Sequence, residues 1–92
     1  MTKADCMKIY GHKCCKCGII LKVDEHAHFH HLDSNTKTMT ISRIVKQYGK
    51  EKVMAELKKT VLICEDCHRD LHKKLGKNVT KRQSLDYIKG VI

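Results

Sequence analysis

The sequence predicts a small α+β domain that is held together by a bound metal ion. The chain has 92 residues, and its aromatic content is 4%, with no tryptophan and one phenylalanine. A domain of this size with few large side chains gains little stability from its core alone. Two Cys-x-x-Cys pairs offer a metal site instead. The hydrophobic period also changes from that of a strand to that of a helix, and one domain over residues 1–92 is expected.

The first third of the chain is expected to contain a lead-in and extended structure. Residues 1–13 mix polar and apolar side chains and predict a short irregular or helical segment. From Gly18 the sequence GIILKVDEHAHFHH indicates a strand, because Ile19, Leu21 and Val23 occupy alternate positions. The DSN of residues 33–35 is typical of a turn.

The rest of the chain is expected to be mostly helical. Helices are expected at residues 40–49, 51–59, 68–76 and 84–89, and a strand is expected at residues 61–63. Apolar side chains recur with a helical period in the helical segments, whereas the strand VLI is rich in β-branched residues. Gly76 is a typical residue to end a helix. In the last helix, Leu85 and Ile88 are expected to face the core.

Four of the six cysteines form two Cys-x-x-Cys pairs. Such a turn places two thiolates at about the spacing of one edge of a tetrahedron, so two turns complete a four-cysteine zinc site. The predicted ligands of one structural Zn²⁺ are Cys14, Cys17, Cys64 and Cys67. Cys6 and Cys15 are then free thiols, and Cys15 stays an alternative to Cys14.

Three other uses of these residues are less consistent with the sequence. Disulfides need an oxidising compartment, whereas the first residues lack the apolar run of a secretory leader, so a cytoplasmic protein is expected. CEDCH at residues 64–68 matches the c-type haem pattern, which would normally require export as well. A C₂H₂ finger that starts at Cys14 would need a histidine at residues 34–36, and none is present.

No apolar stretch of about 18 residues predicts a membrane span.

The chain is strongly basic. Its 19 Lys and Arg residues against 10 Asp and Glu residues give a formal net charge of +9. Small basic domains most often bind nucleic acid, because contacts with phosphates release counterions. The candidates for a phosphate-binding surface are His12, Lys13, Lys16, Arg43, Lys46, Arg69, Lys73, Lys74, Lys77, Lys81 and Arg82. For each of these charges taken alone, a solvated position is the alternative.

A pair of histidines follows the second Cys pair. His68 and His72 are spaced i, i+4, so on a helix they share one face and can bind one metal ion. His68 comes directly after Cys67, and a zinc site at Cys67 would therefore hold it at the beginning of its helix.

Four of the seven histidines lie within HAHFHH, residues 26–31. On a strand, His26 and His28 share a face with His30. Two roles stay open for His26 and His28. They could contact a metal ion or a phosphate, or they could be partly exposed strand residues beside a charged site.

Three motifs follow one another in an order that is known from a nuclease family. With CCKCG (residues 14–18), FHHLD (29–33) and VLICEDCHRDLH (61–72), the chain resembles the HNH nucleases. It is most similar to small members in which a four-cysteine zinc knuckle braces a ββα-metal core. The intervening TKTMTISRIVKQYGKEKVMAELKKT resembles the helical insert of such members. The resemblance implies a core at about residues 14–75 and a C-terminal helical extension at residues 76–92.

The resemblance implies a metal-dependent DNA endonuclease that hydrolyses phosphodiester bonds. His31 aligns with the family's general base, which takes a proton from the attacking water. His30 aligns with a ligand of one catalytic divalent metal, and His68 and His72 align with its ligands on the helix. The middle Asn of the family has no counterpart, and Thr60 or Lys59 stands near its place.

The expected cofactors and partners follow from these assignments. An all-imidazole ligand set favours Mn²⁺, Ni²⁺, Co²⁺ or Zn²⁺, and activity with Mg²⁺ through a weaker site stays open. The expected partner is double-stranded DNA, contacted through its phosphate backbone. A monomer would nick one strand and a homodimer could cut both, and the sequence does not distinguish them. The alternative function is a non-catalytic, zinc-dependent nucleic-acid-binding module, which explains the cysteines and the charge but not the histidines.

Overall fold

The computed structural model describes residues 1–24, 26–37 and 39–91. This part of the chain contains five α-helices and a two-stranded antiparallel sheet, so the predicted α+β class is confirmed. The elements are α1 Lys3–Ile9, β1 Ala27–His31, α2 Ile41–Gln47, α3 Lys50–Leu57, β2 Thr60–Cys64, α4 Glu65–Leu75 and α5 Lys81–Lys89. A short 3₁₀ helix, Ser34–Thr36, follows β1. Among the described residues, no helix is long and apolar enough to cross a membrane.

The two strands and α4 form a ββα unit. In the sheet, Phe29 of β1 pairs with Leu62 of β2, and α4 packs against both strands. Cys64 is the last residue of β2 and also the N-cap of α4, because its sulfur accepts a hydrogen bond from the backbone N–H of Cys67. This cap starts α4 at Glu65, three residues before the predicted start.

The apolar segment after Gly18 is not the long strand that its alternation predicts. Ile20 forms an isolated antiparallel bridge with Lys13, and β1 begins only at Ala27. Of the three alternating residues, Ile19 and Val23 are 56% and 49% exposed, and only Leu21 is buried. The alternating pattern therefore does not mark a buried face here, and the segment closes a tight turn instead.

That tight turn, residues 14–18, contains the first Cys pair. The N–H of Gly18 donates a hydrogen bond to the carbonyl of Cys14 at 3.0 Å, and this bond closes the turn. The N–H of Cys15 donates to the carbonyl of Leu62 at 2.9 Å. This bond fastens the turn to β2, close to the second Cys pair.

Two hydrophobic clusters stabilise the fold. The first surrounds the sheet, α4 and α5, and its largest fully buried members include Tyr87, Leu62 and Leu71. The second packs α2 against α3, chiefly through Ile41, Ile44, Val53 and Leu57. Helix α1 joins the two, since Met7 belongs to the first cluster and Cys6 to the second.

Helix α5 packs against the core through Ser84 and Tyr87, which were not predicted, as well as through the predicted Ile88. It begins at Lys81, after a capping box formed by Thr80 and Gln83. Ser84 and Tyr87 are its buried residues, whereas the predicted Leu85 and Ile88 are half-buried. The hydroxyl of Tyr87 donates to Asp70 Oδ2 at 2.7 Å and anchors α5 to α4.

Candidate metal and active site

Four cysteine side chains meet beside the beginning of α4. Their sulfur atoms all lie within 4.8 Å of one another, and Cys17 Sγ lies 3.8 Å from Cys64 Sγ. Sulfur atoms at this spacing suit a tetrahedral zinc site. This cysteine cluster could hold a metal ion such as zinc, and it consists of the predicted Cys14, Cys17, Cys64 and Cys67.

Backbone N–H groups donate to two sulfur atoms of the cysteine cluster, those of Cys14 and Cys64. The sulfur of Cys14 accepts from the N–H of Lys16 at 3.4 Å. Burial raises the pKa of the Cys14 thiol, but the backbone N–H groups of Cys17, Cys64 and Lys16 outweigh burial and lower the pKa to about 7. Because cysteine binds zinc as a thiolate, the lowered pKa favours Cys14 as a ligand, whereas burial raises the pKa of the Cys64 and Cys67 thiols.

The two remaining cysteines lie outside the cluster. Cys6 is fully buried in the hydrophobic cluster of α2 and α3. Cys15 is exposed and is not a member of the cysteine cluster. The assignment of Cys14 rather than Cys15 as the candidate ligand is therefore the one that the geometry favours.

Three histidines form a second cluster between β1 and α4. The nitrogens offered by His30, His68 and His72 lie within 4.8 Å of one another. His68 Nε2 is 3.1 Å from His72 Nε2. The ring centroid of His30 lies 5.2 Å from that of His68 and 5.4 Å from that of His72. This histidine cluster could hold one divalent ion and leave coordination positions for other ligands.

Burial keeps two of these imidazoles neutral. His30 is 3% exposed, and burial together with the neighbouring His72 lowers its pKa to about 4. Burial, reinforced by His30 and His72, lowers the pKa of His68 to about 3. A neutral imidazole carries the lone pair that a metal ion needs, so both side chains can bind at neutral pH.

The histidine cluster lines a cavity of about 140 Å³. His31 lies in the wall of the same cavity, next to His30 in sequence. Two lysines, Lys37 and Lys77, also line it. The cavity thus brings together the three clustered imidazoles, a fourth imidazole and two positive charges.

His31 contacts a buried carboxylate that the sequence patterns did not single out. Its Nε2 lies 2.7 Å from Glu56 Oε2, and the two side chains are 6% and 5% exposed. The other carboxylate oxygen of Glu56 lies 3.1 Å from Lys59 Nζ. An ionised carboxylate only accepts hydrogen bonds, so a neutral His31 carries its hydrogen on Nε2 and keeps a lone pair on Nδ1.

The pKa of His31 reflects two opposing influences. Burial lowers it, whereas the hydrogen bond and the negative charge of Glu56 raise it, and burial prevails. The imidazole is therefore neutral near pH 7 and can accept a proton.

Glu56 could have been found from the helical period. It lies three residues after Val53 and one before Leu57, both of which are buried, so it falls on the inward face of α3. A charged residue on an inward face needs a partner, because burial of an isolated charge is costly. The apolar pattern of α3 is visible in the sequence, but the identity of that partner requires the fold.

His26 and His28 have different surroundings. His26 is 63% exposed, and its Nδ1 contacts the carboxylate of Glu65 in the first turn of α4. His28 is half-buried, and its Nδ1 lies 2.9 Å from His68 Nδ1. His26 is thus a surface residue, whereas His28 contacts the histidine cluster from outside.

The predicted phosphate-binding cations are not equivalent. Lys77 lines the cavity, whereas Lys16 donates to the carbonyl of Tyr87 at 2.7 Å. Arg69 and Lys74 form ion pairs with acidic residues of α4, one turn away. Lys37, which also lines the cavity, was not among the predicted cations.

No protein-family model matches the chain, and neither a curated protein nor a solved structure matches it. The resemblance of its three motifs to those of HNH nucleases stays a prediction.

Proposed function

We propose that this chain is a metal-dependent DNA endonuclease of the HNH type. One observation carries the proposal: the cavity lined by the histidine cluster also holds His31, whose Nε2 contacts the buried Glu56. A metal site and a general base at one cavity are the two components that hydrolysis of a phosphodiester requires.

The motif resemblance supports the same function. The three motifs fall on the tight turn, on β1, and on β2 with α4, and these elements make up a ββα unit. The chain lacks the family's middle Asn, which helps to orient the base histidine. We propose that Glu56, through its 2.7 Å contact with His31, takes over that task.

Each side chain would have a distinct role. His31 would accept the proton of the attacking water on Nδ1, since Nε2 faces Glu56. The histidine cluster would hold one divalent ion. When bound, that ion supplies positive charge to offset the charge that builds on the phosphate and on the leaving oxygen. The cysteine cluster would bind zinc through four sulfur ligands and leave no open coordination position. Its role would therefore be purely structural.

The charge of the chain supports DNA as the substrate. The net charge of +9 attracts a polyanion. Lys37 and Lys77 line the cavity, so they can contact phosphates next to the one that is cleaved. The substrate would be double-stranded DNA, held mainly through its backbone, and the products expected of the family carry 5′-phosphate and 3′-hydroxyl ends.

A plasmid assay tests the proposal. Supercoiled plasmid is incubated with the zinc-loaded protein and Mn²⁺, Ni²⁺, Co²⁺ or Mg²⁺, with and without a chelator. Cleavage is expected with the imidazole-binding metals and is expected to be lost with the chelator. His31→Ala should lose cleavage by about 10²- to 10⁴-fold, the usual contribution of a general base. It should keep its zinc and its affinity for DNA, and nicking at the wild-type rate would refute the assignment of the base.

Metal analysis separates the nuclease from a non-catalytic nucleic-acid-binding module. The nuclease is expected to bind one metal ion tightly at the cysteine cluster and a second, chelator-labile ion at the histidine cluster. His72→Ala should lose only the labile ion, and its cleavage with it. His26→Ala is the matched control, because it removes an exposed histidine outside the cluster. A wild-type protein that binds a single zinc and DNA but cuts with none of the metals would establish the non-catalytic module.

A further inference from the structure

We infer that hydrogen bonds from outside the histidine cluster hold each of its imidazoles in one tautomer, with Ser84 and His28 as positioning residues. Each clustered histidine uses one ring nitrogen for a partner outside the cluster, which leaves the other for a metal ion. This inference rests on the proposed metal site at the histidine cluster but not on the cleavage of DNA.

Ser84 determines the tautomer of His30. The hydroxyl of Ser84 donates to the carbonyl of Leu32 at 2.7 Å, so its single hydrogen is already used. The same oxygen lies 2.9 Å from His30 Nε2 and can only accept there. His30 therefore carries its hydrogen on Nε2, and its Nδ1 keeps the lone pair that binds metal. Ser84 is fully buried, so water does not compete for this bond.

The end of α4 determines the tautomer of His72. His72 Nδ1 lies 2.8 Å from the carbonyl oxygen of Gly76, which has no hydrogen to donate. Nδ1 therefore carries the hydrogen, and Nε2 is the nitrogen left for metal. Gly76 is the C-cap of α4, with φ +85°, and its own N–H donates to the carbonyl of His72 at 2.8 Å. The two hydrogen bonds between His72 and Gly76 therefore fix both the end of α4 and the ring of His72.

His28 has the corresponding role for His68. His68 Nε2 faces His72 Nε2 at 3.1 Å, whereas His68 Nδ1 faces His28 Nδ1 at 2.9 Å. When Nε2 of His68 gives its lone pair to a metal ion, its hydrogen lies on Nδ1 and is donated to His28. The ring of His28 meets that of His68 edge-on, with centroids 5.1 Å apart, and this contact fixes the plane of the ligand. On this inference, His28 acts through His68 and does not itself bind the metal ion.

Together these contacts assign the metal-binding atoms. They are His30 Nδ1, His68 Nε2 and His72 Nε2. Outer partners of this kind fix the orientation of a ligand and raise its basicity, and their loss typically weakens metal affinity by about 10- to 100-fold. The C-terminal extension is therefore part of the metal site, because α5 supplies Ser84.

Metal titration of the zinc-loaded protein tests the inference without DNA. Ni²⁺ or Co²⁺ is titrated into the wild type, Ser84→Ala and His28→Ala. Each variant is expected to bind the added metal about 10- to 100-fold more weakly, with its cysteine-bound zinc and its thermal transition retained. Ser42→Ala, an exposed serine of α2, is the matched control and should bind like the wild type. Variants that bind as tightly as the wild type would overturn the inference.

Conservative variants and imidazole ¹⁵N shifts show whether the effect is one of positioning. His28→Asn places an amide oxygen near the position of Nδ1, and Ser84→Thr keeps the hydroxyl, so both should recover most of the affinity. In the wild type before metal addition, His30 is expected as the Nε2–H tautomer, and in Ser84→Ala as a mixture. An unchanged tautomer in Ser84→Ala would contradict the inference. A wild type that binds metal with this tautomer but does not cut DNA would leave the inference intact and refute the nuclease, whereas a wild type that binds no metal at these imidazoles would refute both.

Discussion

The cysteine cluster and the histidine cluster share one helix but differ in how they are completed. Cys67 and His68 are consecutive residues of α4, and each belongs to a different cluster. The cysteine cluster gathers four sulfur atoms, which is a full tetrahedral set. The histidine cluster gathers three nitrogens and lines a cavity together with His31.

If both clusters bind metal as proposed, this difference separates a structural site from a catalytic site within one small chain. Four sulfur ligands would leave a zinc ion no position for a substrate, so the proposed role of the cysteine cluster is to hold the tight turn, β2 and α4 together. A cluster with three ligands beside a cavity can accept water or phosphate. Because Cys67 and His68 are consecutive residues of α4, a metal ion at the first cluster would also hold the second in place.

The largest expected effect comes from breaking the cysteine cluster. Cys17→Ser is expected to abolish the cooperative thermal transition, because structural zinc contributes about 10–16 kcal/mol in small zinc domains. That is as large as the stability of a typical domain, about 5–15 kcal/mol. Zinc content and circular dichroism on heating measure this loss.

Cys15→Ser is the matched control for Cys17→Ser. It removes an exposed thiol from the same turn, two residues away and outside the cluster. Its free energy of unfolding should stay within about 0.5 kcal/mol of the wild type, as for most surface substitutions. If Cys15→Ser unfolds and Cys17→Ser does not, the ligand assignment in the tight turn is wrong.

A smaller, purely catalytic effect is expected at Glu56. Glu56→Gln keeps the shape of the side chain, but its amide can donate to His31 Nε2 and thereby favour the wrong tautomer. The kcat of plasmid cleavage should fall by about 10²- to 10⁴-fold, the contribution of a general base. Metal affinity and KM should stay unchanged, since Glu56 is not a member of the histidine cluster.

Glu51→Gln is the control for this variant, because Glu51 is exposed on the first turn of the same helix. It should have the kcat of the wild type. A Glu56→Gln protein that keeps full kcat would show that the buried pair with His31 serves stability alone.

The smallest expected effect concerns the lysines of the cavity. Lys37→Ala and Lys77→Ala should each weaken DNA binding and reduce the slope of log affinity against log salt by about 0.9 per lost phosphate contact. Lys50→Ala, an exposed lysine of α3 outside the cavity, should leave the slope of binding nearer to that of the wild type. Equal effects of all three would indicate diffuse attraction rather than contacts at the cavity.

Six of the seven members of the two clusters could be predicted because the spacing within each sequence pair is local. A Cys-x-x-Cys turn and an i, i+4 histidine pair place their ligands by the geometry of a single turn. His30 could be grouped with His68 and His72 only through the resemblance, because it lies far from both of them in the sequence. The α+β class followed from the change of hydrophobic period.

The residues that the sequence did not reveal act through tertiary contacts. Glu56 and Ser84 each lie on a helix whose inward face is mostly apolar, and their partners, His31 and His30, lie on β1. No periodicity connects such pairs. The start of α4 was misplaced for a related reason, because Cys64 serves at once as strand end, helix cap and candidate ligand.

The backbone of Gly76, whose carbonyl holds His72, has a conformation that depends on the chirality of the residue. With φ +85° and ψ −174°, its backbone lies in a region that is essentially restricted to glycine, where an L-residue costs about 1–3 kcal/mol. A Cβ at this position would nevertheless meet no atom within 4 Å. The restriction is therefore one of chirality and not of space. For D-alanine this conformation is the mirror image of ordinary extended backbone. D-Alanine at this position would therefore preserve the hydrogen bonds with His72, whereas L-alanine would strain them.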